Sequence, residues 1–259
     1  MNIVDWLKPN PRAESDFSFE VTDLEETNSV PSPTELAKLM SDAYWGTDYL
    51  ANVAARYGYG DVRDKIIRSR AGTLPSVRRG DFGEAVTVEY LKTVEEYHIP
   101  VMKLRYKVGA NQTLPGTDCI AFRFSDGRLV KVAFVESKLR TSLDLSVAVA
   151  GTKQLQQDAD SVASETLTFV ARRMRETGHP LTELVEAYVY GRDTELDEEY
   201  LLMILHENAT WDERLLENLE DESLELEPLH LYIARITGLR QLTDAAFSKL
   251  DVEVVEDDH

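Results

Sequence analysis

The stretch that decides the fold runs from Asp118 to Lys138 and reads DCIAFRFSDGRLVKVAFVESK. Two apolar runs rich in β-favouring residues flank Ser125-Asp126-Gly127, and this arrangement predicts a β-hairpin. We expect a three-residue loop with Gly127 in the left-handed conformation, because glycine adopts a positive φ at little steric cost. Such a loop would pair Phe124 with Arg128 across the hairpin.

The length of that loop decides which side chains share a face of the hairpin. Because strand side chains alternate, a three-residue loop sets Asp118 opposite Phe134, on the face of Glu136 and Lys138. A two-residue loop would place Asp118 on the opposite face from Glu136. The rest of the predicted face is apolar and comprises Ile120, Phe122, Phe124, Val130, Val132 and Phe134. Two carboxylates and an ammonium at one end of an apolar face are costly unless they are used, so this end is the predicted functional site.

Length and composition are those of an ordinary globular protein. The chain has 259 residues, of which 43% are hydrophobic and 29% charged, enough for one large domain with appendages. The single cysteine, Cys119, excludes an internal disulfide and a cysteine-based zinc site. No apolar run is long enough to span a bilayer, and the first residues lack a signal-peptide pattern. We therefore expect a cytoplasmic protein without a membrane partner.

The net charge of −19 is distributed unevenly along the chain. Residues 193–259 carry twenty acidic and four basic side chains, whereas residues 56–107 carry eleven basic and seven acidic ones. An acidic protein of this kind is a poor candidate for nonspecific nucleic-acid binding over its whole surface. A local basic patch could still contact phosphates, and the predicted contacts are Arg68, Arg70, Arg78 and Arg79. The same stretch could equally be a solvated connector.

The N-terminal part is predicted to be mainly helical. Residues 1–31 are interpreted as an extension with a short strand at 17–21, and Ser32-Pro33-Thr34-Glu35 predicts a helix start. That helix should run to about Tyr44, and a second one should run from residue 47 to about 58–60. We therefore divide the chain into residues 1–79, with the basic connector, and an α/β domain at 80–259.

The second part alternates helices with short strands, which is typical of an α/β domain. An amphipathic helix starts at Asp81 and carries Glu84 in its first turn, where a carboxylate is also favoured for helix stability alone. The expected strands are at 101–107, 118–124, 130–138, 184–190, 200–205 (which could instead be helical) and 229–236. The expected helices are at 143–163 (as one or two helices around Gly151), 164–177, 212–219 and 239–250, before an acidic tail.

Glu84, Asp118, Glu136 and Lys138 are the predicted catalytic residues. Carboxylates that converge from a helix and two strands bind hard cations such as Mg²⁺ or Mn²⁺. Such an ion can lower the pKa of a bound water to about 7 and stabilise charge on a phosphoryl oxygen. A lysine two residues from a carboxylate on one strand points to the same side and can assist the water or the transition state.

The order of these residues resembles the PD-(D/E)XK nuclease superfamily. The resemblance rests on Gly80-Asp-Phe-Gly-Glu84 at a helix start, Pro115-Gly-Thr-Asp118, and Glu136-Ser-Lys138 ending an apolar strand. The proline lies three residues before Asp118 instead of directly before it. The resemblance implies a mixed central sheet flanked by helices and a metal-dependent phosphodiesterase, with Asp118, Glu136 and Glu84 on the metal. It also implies a polar residue from the next helix, for which Lys153 and Gln154 are candidates.

Within that superfamily, the layout resembles HamA, the nuclease subunit of Hachiman-type antiphage systems. The supporting segments lie within residues 78–140 and include Leu104-Arg-Tyr-Lys107. The resemblance implies a DNA-cleaving effector that a helicase partner holds in check. Two other functions remain open: a nonenzymatic subunit that docks a helicase through the acidic C-terminal portion, and a stand-alone restriction or junction-resolving nuclease. Glu136 and Lys138 could also be no more than a surface ion pair.

Overall fold

The central element is a six-stranded mixed sheet. The computed structural model describes residues 3–12, 17–46, 56, 69–159, 164–191, 196–222 and 225–252. The strands are β1 (Leu7–Pro11), β2 (Glu20–Glu26), β3 (Cys119–Ser125), β4 (Arg128–Arg140), β5 (Asp197–Glu207) and β6 (Leu229–Ile236). They lie in the order β1-β2-β6-β5-β4-β3. The neighbouring pairs β2–β6, β6–β5 and β5–β4 are parallel, whereas the edge strands β1 and β3 pair antiparallel with β2 and β4. The predicted mixed central sheet is confirmed.

Helices cover both faces of this sheet. They are α1 (Ile3–Trp6), α2 (Pro33–Trp45), α3 (Pro75–Thr93), α4 (Val147–Ala159), α5 (Glu165–Thr177), α6 (Thr182–Val189), α7 (Arg214–Glu220) and α8 (Leu239–Val252). The first core contains buried residues of α1, α2, α3 and α8, and the second contains those of α4 to α7. Successive side chains of β4 point to opposite faces of the sheet, so the strand contributes to both cores: Val135 packs in the first and Phe134 in the second. None of the described helices combines the length and hydropathy that a bilayer-spanning helix needs.

The start of α2 confirms a local sequence signal. The Ser32 hydroxyl accepts a hydrogen bond from the Glu35 amide, and the Glu35 carboxylate accepts one from the Ser32 amide. This is the reciprocal capping box that the sequence predicts, with Pro33 in the first turn. The expected second helix at 47–60 falls almost entirely outside the described residues, as does Arg68.

The turn of the β3–β4 hairpin is shorter than predicted. Asp126 and Gly127 have φ values of 51° and 74°, and these two residues alone join the strands. Successive residues with positive φ are typical of the type I′ turn, which an Asp-Gly pair favours. The predicted three-residue loop is therefore wrong, and Phe124 pairs with Leu129 instead of Arg128.

A β-bulge beside the turn restores the predicted face. The register shifts by one between Arg123 and Phe124, and Val130 is the extra residue in β4. Val130 is 40% exposed, so its predicted place on the buried face is wrong. Since each one-residue slip exchanges the faces of a strand, the bulge cancels the effect of the shorter turn. Asp118 therefore stays on the face of Glu136.

Four other predicted elements are corrected by the structure. The helix expected to start at Asp81 begins at Pro75 and runs through Gly80, so Glu84 lies in its third turn instead of its first. Most of the stretch 184–190 belongs to helix α6 (Thr182–Val189) instead of a strand. Its apolar residues meet the second core at helical spacing: Leu181, Leu184, Val185, Tyr188 and Val189. Residues 101–107 contain a 3₁₀ helix (Lys103–Tyr106), in which adjacent side chains are buried instead of alternating. The N-terminal part is not only helical, because β1 and β2 extend the central sheet, and β2 begins later than the predicted strand at 17–21.

Candidate metal-binding and catalytic site

The four predicted catalytic residues line one cavity. This cavity has a volume of about 520 Å³, and its wall includes Glu84, Asp118, Glu136 and Lys138. Lys103, which the sequence did not single out, lies in the same wall. Side chains from α3, from the residue directly before β3 and from the second half of β4 therefore meet in one place, although Glu84 and Lys138 are 54 positions apart in the sequence.

Close packing of α3 on β4 brings Glu84 to the strand end. A Cβ atom at the neighbouring Gly83 would lie 3.3 Å from Ser137 Oγ and 3.4 Å from Leu139 Cβ. The first distance is slightly shorter than an ordinary van der Waals contact and the second is at its lower limit, so glycine lets α3 pack closely on β4 without displacing the Ser137 side chain. The sequence Gly83-Glu84 thus supplies both the close approach and the carboxylate.

Asp118 is tied to the segment that carries the other two residues. Its Oδ2 accepts a hydrogen bond from the Ser137 amide at 2.7 Å, between Glu136 and Lys138. A carboxylate that accepts a backbone N–H is a charge-assisted bond, which is stronger than a neutral one. This bond sets the position of Asp118 relative to the Glu-Ser-Lys segment.

Glu136 and Lys138 form an ion pair inside the cavity. Lys138 Nζ lies 2.5 Å from Glu136 Oε1, and Glu136 is 4% exposed. The stem of Lys138 runs beside Gly151 of α4, where an added Cβ would lie 3.3 Å from Lys138 Cγ. Because one member of the pair is buried, the interpretation as a surface ion pair does not describe it.

Burial and mutual repulsion disfavour the charged forms of the carboxylates in the cavity. Burial raises the pKa of Glu136 to about 8, and the charge of Asp118 adds to the rise, whereas Lys138 and Lys103 oppose it. Burial also raises the pKa of Glu84 well above its ordinary value, again with a contribution from Asp118. Groups in a cavity whose pKa values are shifted by burial and by each other are typical of functional sites.

Two carboxylate oxygens in the cavity are candidate ligands for a metal ion. Glu84 Oε1 and Glu136 Oε2 are buried and accept no hydrogen bond from the described residues. Buried polar atoms normally have a partner, and carboxylate oxygens are the ligands that Mg²⁺ and Mn²⁺ prefer. The donor set therefore fits a hard divalent cation. The ligand shell is not closed, because no three His, Cys, Asp or Glu side chains in the described part of the chain are gathered tightly enough to hold a metal.

A second buried network borders the cavity and was not predicted. Asp81, one turn before Glu84 on α3, pairs with Lys107 Nζ at 2.6 Å and accepts a hydrogen bond from Tyr44 Oη at 2.5 Å. Burial raises the pKa of Asp81 despite these partners. The sequence carries only a weak signal for this network, since Tyr44, Asp81 and Lys107 are far apart along the chain.

The arginines predicted to contact phosphate lie in different surroundings in the structure. Arg79 lines the cavity, whereas Arg78 donates to the Gly72 carbonyl at 2.7 Å and lies over the Phe247 ring. Arg78 therefore has a packing role, and Arg70 is half-buried outside the described cavity wall. Neither predicted accessory residue of α4 belongs to that wall: Lys153 pairs with Glu222 at 3.0 Å, and Gln154 is half-buried elsewhere.

Comparison with known proteins assigns the family. A family model described as HamA matches residues 9–250 of the chain. The chain belongs to the HamA family. The match spans both predicted parts of the chain and contains the whole cavity wall. Comparison with curated proteins finds no match.

Membership of the HamA family confirms the resemblance drawn from the three motifs around Glu84, Asp118 and Glu136. The family points to a component of Hachiman antiphage defence. A HamA protein is expected to act within a Hachiman complex, so a partner subunit is implied.

Proposed function

We propose that the chain is a DNA endonuclease that requires Mg²⁺ or Mn²⁺ and acts as the effector of its defence complex. One observation carries the proposal: two buried carboxylate oxygens accept no hydrogen bond from the described part of the chain, in a cavity that also contains Asp118 and the Lys138 ammonium. A hard divalent cation would relieve the repulsion among the carboxylates. Phosphodiester hydrolysis is a reaction that such a cation and a nearby ammonium can promote together.

Each residue of the cavity has a distinct role in this proposal. Asp118 and Glu136 would hold the metal, and Glu84 would complete or orient its ligand shell. When bound, the metal supplies an activated water and charge stabilisation at the phosphoryl group. Lys138 places its ammonium beside Glu136, where it would stabilise the negative charge that develops on the phosphate.

The substrate would enter past Arg79 at the cavity wall. Arg79, Arg140 and the hydroxyl groups of Ser76 and Ser142 line the same cavity, and all can donate hydrogen bonds to phosphate oxygens. The acidic residues 193–259 would repel DNA elsewhere on the surface. We therefore propose that a helicase partner, which supplies its own DNA affinity, brings the substrate and controls access.

One observation favours a second function. The described residues contain no closed group of three metal ligands, as expected for a nonenzymatic subunit on a nuclease-like scaffold. The unpartnered oxygens of Glu84 and Glu136 argue for the enzyme instead. Titration with Mn²⁺ separates the two functions, because the nonenzymatic subunit has no need to bind the ion.

Calorimetric titration with Mn²⁺ should show an affinity that rises between pH 6 and pH 8. Burial raises the pKa of Glu136 to about 8, so protons compete with the cation for its carboxylate in this range, and the competition weakens as pH rises. Displacement of one proton gives a change of about tenfold per pH unit at most. Glu136→Gln should abolish this dependence together with tight binding. A pH-independent affinity, or unchanged binding by Glu136→Gln, would contradict the proposed site.

A further inference from the structure

The segment that delivers Asp118 into the cavity is held by hydrogen bonds at every polar group of Thr117. Thr117 is fully buried and directly precedes Asp118. Its amide and its hydroxyl both donate to Asp158 Oδ2, at 3.4 Å and 3.0 Å. Its carbonyl accepts from Lys103 Nζ at 2.5 Å and from Thr166 Oγ1 at 3.3 Å. A residue bonded in this way has little freedom to shift.

Asp158 joins three parts of the chain through one carboxylate. It lies near the end of α4, is 3% exposed, and also accepts from Ser164 Oγ at 3.0 Å and from the Thr166 amide at 3.5 Å. All of these partners are donors, so the site requires a group that only accepts, which an ionised carboxylate is. An asparagine of the same shape would turn two of its own hydrogens toward donors.

The loop is pressed against α5 by its glycine. Gly116 has a φ of +78°, and a Cβ atom there would lie 2.1 Å from Thr166 Oγ1 and 3.2 Å from Asp158 Oδ1. No other residue fits both the positive φ and this contact. The close contact brings the Thr117 amide within reach of Asp158.

Lys103 holds the same loop from the other side. Its side chain is buried, and besides the Thr117 carbonyl it donates to the Pro115 carbonyl at 2.7 Å. The ammonium therefore binds two carbonyls of one short loop while its charge faces the carboxylates of Glu84 and Glu136. Asp158 and Lys103 together enclose residues 115–117.

We propose that Asp158 and Lys103 form a clamp on the 115–117 loop and that Asp158 is a positioning residue for the metal ligand Asp118. Asp158 acts through Thr117, because its own carboxylate is fully engaged with α5 and the loop. On the cavity side, the hydrogen bond from the Ser137 amide orients the Asp118 carboxylate, and the anchored Thr117 backbone fixes where the Asp118 main chain lies. Outer partners of metal ligands typically change metal affinity by about 10–100-fold when they are lost. This inference rests on the proposed metal-dependent function.

Two variants test the clamp by calorimetric titration with Mn²⁺ of the full chain. Asp158→Asn should weaken Mn²⁺ binding by about tenfold or more. Thr117→Val removes one donor to Asp158 without changing any charge, and it should weaken binding in the same direction by a smaller factor. The double variant should lose less than the product of the two single losses, because both changes break the same hydrogen bond.

Val185→Ala serves as the control for general destabilisation. Val185 is fully buried in α6, within the second core, and its apolar side chain forms no hydrogen bond to the 115–117 loop. It should lower the unfolding temperature and leave Mn²⁺ affinity unchanged. Equal weakening by Val185→Ala would overturn the positioning role, since any loss of stability would then give the effect.

The outcomes separate the clamp from the proposed function. If Glu136→Gln abolishes Mn²⁺ binding while Asp158→Asn and Thr117→Val retain the wild-type affinity, the clamp is wrong and the metal site stands. If the wild-type protein itself does not bind Mn²⁺, the proposed function and the clamp both fall. A charge effect alone would weaken binding in Asp158→Asn and leave Thr117→Val at the wild-type affinity, which would also overturn the clamp.

Discussion

Replacement of Glu136 by glutamine is expected to slow metal-dependent DNA cleavage by about 10³-fold and to stabilise the metal-free protein. A metal ion contributes several kcal/mol of transition-state stabilisation, and about 4 kcal/mol corresponds to 10³-fold. Glutamine keeps the shape of Glu136 but is a poorer ligand for a hard cation. The rate is measured on labelled DNA with Mg²⁺, and stability is measured by thermal unfolding in a chelator.

The gain in stability should depend on pH in a definite direction. The pKa of Glu136 is about 8 in the folded protein and near its ordinary value of 4.5 in the unfolded chain. The folded state therefore binds the proton more tightly, so wild-type stability falls as pH rises from about 4.5 to about 8. Glu136→Gln does not lose stability in this way. The difference in stability between the variant and the wild-type protein should therefore grow through the same range and level off above pH 8.

Glu217→Gln is the matched control for this experiment. Glu217 is exposed on α7, so the same chemical change should leave both cleavage and stability nearly unchanged. Undiminished metal-dependent cleavage by folded Glu136→Gln would remove the residue from the catalytic site. A stability that is lower than that of the wild-type protein at pH 8 would contradict the electrostatic strain assigned to the cavity.

Lys107→Met should cost about 3–5 kcal/mol of stability, the range for a buried ion pair that loses one partner. Lys107 and Asp81 are 2.6 Å apart, with side chains only 2% and 7% exposed. Without Lys107, the buried Asp81 carboxylate keeps the Tyr44 hydroxyl as its remaining strong partner among the described residues. The free energy of unfolding in urea at pH 7 measures this loss.

The pH dependence of Lys107→Met identifies the cause. Burial already raises the pKa of Asp81, and loss of the ammonium should raise it further, so the folded variant takes up a proton at low pH. The loss of stability should therefore be smaller at pH 5 than at pH 8. Asp81→Asn combined with Lys107→Met should recover part of it, because no unpaired charge then remains buried.

Tyr44→Phe provides the comparison within the same network. It removes one hydrogen bond to Asp81 and leaves the ion pair intact, so a loss of only about 1 kcal/mol is expected. Equal losses for Tyr44→Phe and Lys107→Met would mean that packing, and not the buried charge, dominates at this position.

The strands and helices with regular patterns were predicted from sequence, and the local details were not. Residues 229–236 match β6, and the helix predicted around Gly151 is continuous in α4. The hairpin shows why local rules fall short. The Asp126-Gly127 turn and the Val130 bulge each reverse the faces, and only tertiary burial of the flanking residues selects both together.

The carboxylates of the site were predictable, whereas their surroundings were not. Glu84, Asp118 and Glu136 are carried by short motifs whose element types follow from local pattern. Lys103 and Asp158 act through hydrogen bonds to the Thr117 segment, 14 and 41 residues away along the chain. No local pattern predicts such contacts, because they depend on how α4 and the 3₁₀ helix pack around the loop.

The most direct test of the central claim is an anomalous difference map from crystals of the full chain soaked in Mn²⁺. The proposed site predicts a manganese peak within about 2.2 Å of carboxylate oxygens of Asp118 and Glu136, a typical distance for a hard divalent cation. Crystals of Glu136→Gln should lose that peak. A map that has no peak in the cavity at saturating Mn²⁺, or an equal peak in Glu136→Gln, would contradict the claim that these carboxylates form the metal centre.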